Sequence, residues 1–586
     1  MEDIEKTLIK NILLKNYIEV ILNKENITKK DLEEVKEIVL NSEDILGEYN
    51  KVYIEEISLF PNLEEITIKN LGLKLEDMQL LRKVKKVSFR NCEVNGIEYL
   101  ENVKTNNLII DENGSITYQE LLNFSKKIGS GLGKFVKNND PVPVYLEKNI
   151  STLEVFFGAL YAGGFYSLLN VGLPDARLNQ IISVLDVSYI VTDLEHLDDA
   201  KKYFGDKKIY VYEELVKGDI DEELLGSIRS KKLDVDPVYA NFTSGSTGVP
   251  KGVVVGNKSI IDFIDNFVDT FGINESDIIA NQAPFDFDVS VKDIYPALKT
   301  GATLVIVPKE LFSRPAELLD FLVLNKVTTM TWAVSALCLI TTFHGLDYKV
   351  PSTVKRIMFS GEVMPMKHLK DWMNHLPNTT FVNLYGPTEI TCNCSYHIIN
   401  RDREYEKIPI GGAFNNEEVF LLNDKNELVT NQDEKGEICV RGSALALGYY
   451  KNSEQTNKAF VQNPLNDRYI EYIYRTGDLG YYHENDLYFG GRKDFQIKYL
   501  GHRIELEEID KAIGNIKEVE RVCTIFKEEK NRLCAFYIGD IETKELHEIL
   551  SKELPVFMVP NRFIKLDSMP LTKNGKIDRK ALEEKM

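Results

Sequence analysis

The chain lacks a basic excess, a long apolar run, a cysteine framework and a basic leader. Lys plus Arg number 71 against 91 Asp plus Glu, a formal charge of −20. Such a surface repels a phosphate backbone or an anionic membrane face, and no basic patch offsets it, so nucleic-acid binding is a poor reading. No stretch reaches the roughly 18 apolar residues of a membrane span. Seven cysteines, an odd number without framework spacing, point to a reducing compartment. Cys392 and Cys394 form a C-x-C with no second pair or histidine cluster at zinc spacing, so they read as packed residues. The opening Met1-Glu-Asp-Ile-Glu is acidic where a signal peptide is basic, so a cytoplasmic protein is expected. Hydrophobic residues at 43% and charged residues at 28% are ordinary globular values, which excludes disorder and fibrous repeats.

The 586 residues divide unevenly. Residues 1–46 carry two amphipathic helical patterns, with Ile9, Ile12, Leu13 and Tyr17 on one face. From Leu63 the pattern L-x-x-I-x-I-x-N runs through Ile66, Ile68 and Asn70, and returns 21 residues later as Val84, Val87, Phe89 and Asn91. Leu108 and Ile110 occupy the matching places one period on. A short strand per period in the low twenties is leucine-rich-repeat-like, and a plain helix-plus-strand extension is the alternative. From Ser115 short apolar strands alternate with helices: 142–146, 189–192, 303–307, 327–331 and 357–359. That alternation predicts an α/β body of parallel or mixed sheets flanked by helices. Strands near 522–526 and 533–538 mark a small α+β C-terminal unit. The expected domains are an extension at 1–112, a core at 113–493 and a mobile lid at 494–586.

The strongest local signal is Thr243-Ser-Gly-Ser-Thr-Gly-Val-Pro-Lys-Gly252, which follows a strand-like segment. Its glycines expose backbone N–H groups, and Thr243, Ser244, Gly245, Ser246, Thr247 and Lys251 together suit a polyphosphate. Gly252 stands where a Walker loop has Ser or Thr, so this is not a Walker site, and taken alone such a loop is more often a linker.

Its neighbours decide the matter. Ile116-Thr-Tyr-Gln-Glu-Leu121, Phe287-Asp-Val-Ser290, Asn383-Leu-Tyr-Gly-Pro-Thr-Glu389, Tyr474-Arg-Thr-Gly-Asp478, Gly491-Arg-Lys-Asp-Phe-Gln-Ile-Lys498 and Pro570-Leu-Thr-Lys-Asn-Gly-Lys576 follow in order. With them the chain resembles the adenylate-forming ligase superfamily from about residue 115 to the end. Within it the likeness is to the amino-acid adenylation branch, which holds nonribosomal peptide synthetase adenylation domains and D-alanine–carrier-protein ligases. The resemblance implies ATP and Mg2+ as cofactors. Glu389 would hold the metal, a hard oxygen for a hard cation. Asp478 would accept the ribose hydroxyls with Arg492 beside it, and Tyr385 would stack on adenine with Asn383 at its edge. Gly386, Thr388 and Lys498 belong to the same nucleotide set. Lys576, with Thr243, would act at the reacting carboxylate and α-phosphate, where charge must be neutralised. Asp494 would be the hinge about which the lid turns, and Gly501 with residues 499–503 would line the path of the attacking thiol.

For the acid, Asp288 resembles the aspartate that pairs with a substrate α-ammonium, and a buried carboxylate without a cation is costly. The pocket walls implied are Val289, Lys292, Thr331, Met358, Ser360, Leu384, Cys392 and Asn393. Lys292 either meets an acidic or hydroxylated side chain or snorkels outward over its apolar stem. Asn257 and the proline-free 160–168 segment depart from the family pattern at positions without a reacting role. No carrier domain follows before Met586, so a separate phosphopantetheinylated carrier protein, or a small thiol, is the expected acceptor. The extension suggests a docking face for a protein partner. The alternatives are an acyl-CoA or aryl-acid ligase, or a non-catalytic nucleotide-binding regulatory protein.

Overall fold

The architecture is taken from a computed structural model, which describes residues 108–586 apart from 206, 246–247, 528–530 and 572–576. Before residue 108 it describes five strands (37–41, 65–69, 73–74, 86–90 and 94–95) and four single residues: 22, 32, 35 and 60. Of the two helices expected over 1–46, residues 22 and 32 are helical, but 37–41 form a strand instead, held in parallel against Glu65–Lys69; the rest of that stretch apart from residue 35, and the docking face, lie outside the described residues.

The parallel sheet forms where the alternation predicts it. Thr303–Ile306, Ile278–Asn281, Thr329–Ala333, Arg356–Ser360 and Thr380–Tyr385 lie side by side, all parallel, with Leu108–Asp111 beyond Thr303–Ile306. These strands are apolar on both faces because helices cover both. A second sheet runs Lys208–Val211, Tyr189–Thr192, Pro141–Tyr145, Phe165–Leu168 and Pro237–Thr243, then turns back through Lys251–Gly256. A third, antiparallel sheet contains Tyr472–His483 and Asp486–Arg492.

The extension's strands Glu37–Asn41, Glu65–Lys69 and Lys86–Arg90 pair in parallel, Ile66 opposite Val87, at the offset of the sequence repeat. The third expected repeat strand goes elsewhere. Leu108–Asp111 folds back on Gly114–Thr117 as a tight hairpin, and Gly114–Thr117 stands between it and Lys86–Arg90. A two-residue turn at Glu112 and Asn113 thus ends the parallel stacking and starts the body. Thr117 then caps the helix Tyr118–Leu132 through a reciprocal bond with Glu120.

After Asp494 come the hairpin Gln496–Tyr499 with His502–Glu505 and the strands Val519–Lys527, Arg532–Gly539 and Arg562–Lys565. Helices Leu506–Gly514 and Thr543–Glu553 cover them, and Ile504, Ile509, Leu533, Tyr537 and Leu546 form a core of their own. No described helix is long and apolar enough to cross a membrane.

Candidate active site

Antiparallel pairing sets Asp478 directly opposite Arg492. Arg492 Nη1 donates to Asp478 Oδ1 at 2.5 Å, and the Tyr385 hydroxyl donates to Oδ2 at 2.5 Å. Tyr385 closes the strand Thr380–Tyr385, and the Lys498 ammonium stands 5.9 Å from its ring centroid. Burial holds Lys498 below the ordinary lysine pKa, while Asp478 and Asp288 pull it back. Asn383, two residues before Tyr385, donates to the Pro409 carbonyl at 2.8 Å.

The glycine-serine loop is the turn of the hairpin that pairs Thr243 with Lys251. Ser246 and Thr247 lie outside the described residues. Ser244 Oγ donates to the Arg503 carbonyl at 2.8 Å, and the Gly245 N–H reaches Glu508 Oε2 at 3.3 Å. Glu508 is itself paired with Arg177 at 2.5 Å, both buried. Thr243 Oγ1 is buried and has no hydrogen-bond partner among the described residues.

Glu389 is fully buried in the short helical turn Thr388–Ile390. Arg503 Nη1 donates to both its oxygens at 2.8 Å, and the Tyr449 hydroxyl to Oε1 at 2.7 Å. Burial alone raises its pKa, but the Arg503 and Lys251 charges override that and hold it at about 2. Thr391, two residues on, has φ +68°, a strained value for a β-branched residue, and its Oγ1 is anchored on the Ala444 carbonyl at 2.7 Å. This bend lays Asn393 against Gly386, where a Cβ would come 2.5 Å from the Asn393 Cα. Only glycine fits there.

Between these groups lies a cavity of about 160 Å³. Asp288, Val289, Ser360, Cys392 and Asn393 line it together with Thr243, Ser244, Gly386 and Thr388 from the loops and Asp478, Arg492 and Lys498 from the nucleotide side. Asp288 sits in the turn Asp288–Ser290 that starts the helix Val291–Thr300. Burial raises its pKa, opposed by a hydrogen bond from Thr388 and by Lys292 and Lys498. Lys292 does not snorkel: it is 0% exposed, and its ammonium donates to Asn393 Oδ1 at 2.6 Å and Ser360 Oγ at 3.3 Å. A fully covered position leaves its stem no route to water.

Leu384, Tyr385 and Asn383 line a larger cavity of about 660 Å³ that shares Asp478, Arg492 and Lys498. Thr331 and Met358 line neither cavity. They face each other across adjacent strands, with Met358 packed in the core cluster of Leu384 and Cys392. Glu389 and Lys251 line neither cavity. Lys576 lies outside the described residues. The six described cysteines are free, and Cys392 and Cys394 are buried.

Four contacts were not legible beforehand: Arg503 on Glu389, Glu508 on Arg177, Glu362 accepting the Gly501 N–H at 2.8 Å, and His502 edge-on to Phe287 at 4.7 Å. All bring the small C-terminal unit onto the cavity. Their one sequence signal was the 499–503 segment, which the resemblance placed on the thiol's path without giving Arg503 a partner.

A buried carboxylate–arginine pair bonded to a tyrosine and a hydroxyl-rich loop, brought to one cavity from three sheets, define an adenylate-forming enzyme. The chain belongs to the AMP-binding enzyme family, whose pattern matches residues 100–450. It is 32% identical over 489 residues to a D-alanine–D-alanyl carrier protein ligase of Bacillus velezensis, covering 80% of this chain and 95% of that one. It is 31% identical over 488 residues to tyrocidine synthase 3 of Brevibacillus parabrevis, covering 81% of this chain and 7% of that much longer protein. Its fold matches an NRPS protein containing adenylation and PCP domains bound to a vinylsulfonamide inhibitor, with TM-score 0.71, 23% identity and 82% of each chain covered.

Proposed function

We propose that the protein activates an amino acid with ATP, forming aminoacyl-AMP and pyrophosphate, and passes it to the phosphopantetheine thiol of a separate carrier protein in the cytoplasm. The observation that carries this reading is Asp288. It is a buried carboxylate with no ion pair among the described residues, and it opens on the same cavity as Asp478 and Lys498. A substrate α-ammonium supplies the cation it lacks. The ligase relative of Bacillus velezensis, a D-alanine–D-alanyl carrier protein ligase, is of this class.

In the first step a substrate carboxylate oxygen bonds to the α-phosphorus as the bond to pyrophosphate breaks. In the second, the thiol sulfur bonds to the acyl carbon, AMP leaves and the thiol proton goes to solvent. We assign Asp478 to the ribose hydroxyls, Tyr385 to the adenine face, and Thr243, Ser244 and Lys251 to the phosphates. Lys498 balances charge between Asp478 and Asp288. Lys576 neutralises the carboxylate and phosphate in the first step, and the lid from 494 onward turns about Asp494, which Arg492 grips with two bonds of 2.5 and 2.7 Å.

The donor set fits a divalent cation. Glu389 is ionised, and Thr243, opposite the lysine whose charge acts on Glu389, has a buried hydroxyl without a partner among the described residues. Glu389 and Thr243 would hold Mg2+ once Arg503 withdraws, and the ion would offset phosphate charge.

The test is ATP–pyrophosphate exchange against L- and D-amino acids, with fatty and aryl acids in the same panel. Exchange dependent on one amino acid, with KM raised ~10²-fold in Asp288→Asn, supports the reading. Exchange with a non-amino acid alone would make the protein an acyl-CoA or aryl-acid type ligase, and ATP binding without exchange a regulatory protein.

A further inference from the structure

Lys292 carries information beyond amino-acid activation. Its ammonium is fully buried on the covered face of the helix Val291–Thr300. It makes no ion pair among the described residues, and two oxygens receive its protons: Asn393 Oδ1 at 2.6 Å and Ser360 Oγ at 3.3 Å. A buried ammonium facing neutral oxygens is held at a high desolvation cost unless a counter-charge arrives.

Those two oxygens belong to side chains that line the cavity. Lys292 therefore sets what the wall presents. With Oδ1 of Asn393 turned to the ammonium, the amide end left for the cavity is the Nδ2 donor. Ser360 Oγ accepts from Lys292 and keeps its O–H to donate. The wall is two donors with the Lys292 ammonium behind them.

The charges of Asp288 and Asp293 act on Lys292, but neither acid forms an ion pair with it among the described residues. Asp288 faces the α-ammonium in the proposed function. Asp293, next along the helix, takes a bond from Asn281 Nδ2 at 2.9 Å, and burial pushes its pKa up to about 7, so it is a weak counter-ion. A small cavity of about 160 Å³, with one carboxylate for the α-ammonium and a donor wall over a buried lysine without an ion pair among the described residues, suits a ligand that brings an anion.

We propose that the pocket selects an amino acid whose short side chain ends in a carboxylate, received by Asn393 and Ser360 with Lys292 as the positioning residue behind them. This rests on the amino-acid activation reading above. A side-chain amide is a poor substitute, because its NH2 group would meet donors and leave polar groups unpaired. An apolar side chain would leave the donors and the ammonium unanswered.

The experiment is pyrophosphate exchange by the full chain with aspartate, glutamate, asparagine, glutamine, alanine and leucine in both chiralities. The expected result is kcat/KM for an acidic amino acid ~10²-fold or more above its own amide, the usual scale when buried polar groups lose their partner. Lys292→Met should raise KM for that acid more than it lowers kcat, and remove the preference for acid over amide. Lys292→Arg should restore part of it. A wild-type preference for a neutral amino acid overturns the inference and leaves amino-acid activation standing. The wild-type panel needs no variant to fold. Exchange with fatty or aryl acids alone, or with no acid, overturns the activation reading and this inference together.

Discussion

Arg503, in the small C-terminal unit, donates to both oxygens of Glu389 in the body at 2.8 Å. The residue proposed to hold the metal is thus neutralised by an arginine instead. The same residue's carbonyl takes the Ser244 hydroxyl, and Glu508 takes the Gly245 N–H, so the phosphate loop is tied to the same unit. In the proposed function, nucleotide and cation would use these groups only once the unit moves away. Glu389 would then have two cationic partners that exclude each other, one for each placement of the lid.

The first prediction follows from that exchange. Breaking a buried pair by removing one partner costs ~3–5 kcal/mol, and here the cost falls on the described arrangement alone. If that arrangement performs the thiol step, Arg503→Met should slow carrier loading ~10²-fold or more and change pyrophosphate exchange only a few-fold. Separate assays of exchange and of loading onto a phosphopantetheinylated carrier check this. Equal losses in both would show that Arg503 serves the fold instead.

His502 gives a pH signature. Its ring lies on Phe557 at 3.6 Å and edge-on to Phe287 at 4.7 Å, and burial lowers its pKa to about 4. The folded state then holds the neutral ring, with a pKa below the ordinary 6.5 of the unfolded chain. Its contribution is fully present above pH 6.5 and is lost as pH falls toward 4, a difference of at most about 3 kcal/mol. His502→Phe keeps the stack and removes the titration. Melting curves from pH 7 to 4 should show the wild type falling faster than the variant, and parallel curves would remove His502 from the account.

How much of this was legible depends on range along the chain. The strands at 189–192 and 303–306 were readable because local apolar pattern and period decide them. Asp288, Thr388, Asp478 and Lys498, each in a contiguous motif, share one cavity, while the roles given to them are part of the proposal. The contacts that decide their state were not readable. Glu389 and Arg503 are 114 positions apart, and no local pattern says which cation a buried carboxylate meets. Lys292 shows the same limit: the residue type left two directions open, and only the packing around its helix closes one. The 108–111 strand went astray because a repeat pattern does not record a hairpin turn that follows it.

Gly386 gives a steric prediction. A Cβ there would lie 2.5 Å from the Asn393 Cα and 2.7 Å from the Cys392 carbonyl oxygen, both backbone atoms with no rotamer to yield. Gly386→Ala should cost ~1–3 kcal/mol of stability, as overpacking does, and push residues 392–393 into the acid pocket. Thermal unfolding should show the loss, and exchange kinetics should show KM for the amino acid rising more than KM for ATP. An unchanged amino-acid KM would mean the bend at Thr391 absorbs the extra methyl without moving the pocket wall.

Lys576 closes the argument, because the two half-reactions make opposite demands on it. Forming the adenylate brings a carboxylate against an α-phosphate, and a positioned cation there is worth ~3–4 kcal/mol. Attack of a thiol on the adenylate has no such like-charge encounter, and in the described arrangement the hairpin of 496–505 faces the cavity. Lys576→Ala should therefore lose ~10²–10³ in amino-acid-dependent exchange. Transfer from supplied aminoacyl-AMP to a carrier thiol should stay near the wild-type rate. Comparable losses in both steps would mean that one placement of the lid serves both, and that Arg503 leaves Glu389 without any turn about Asp494.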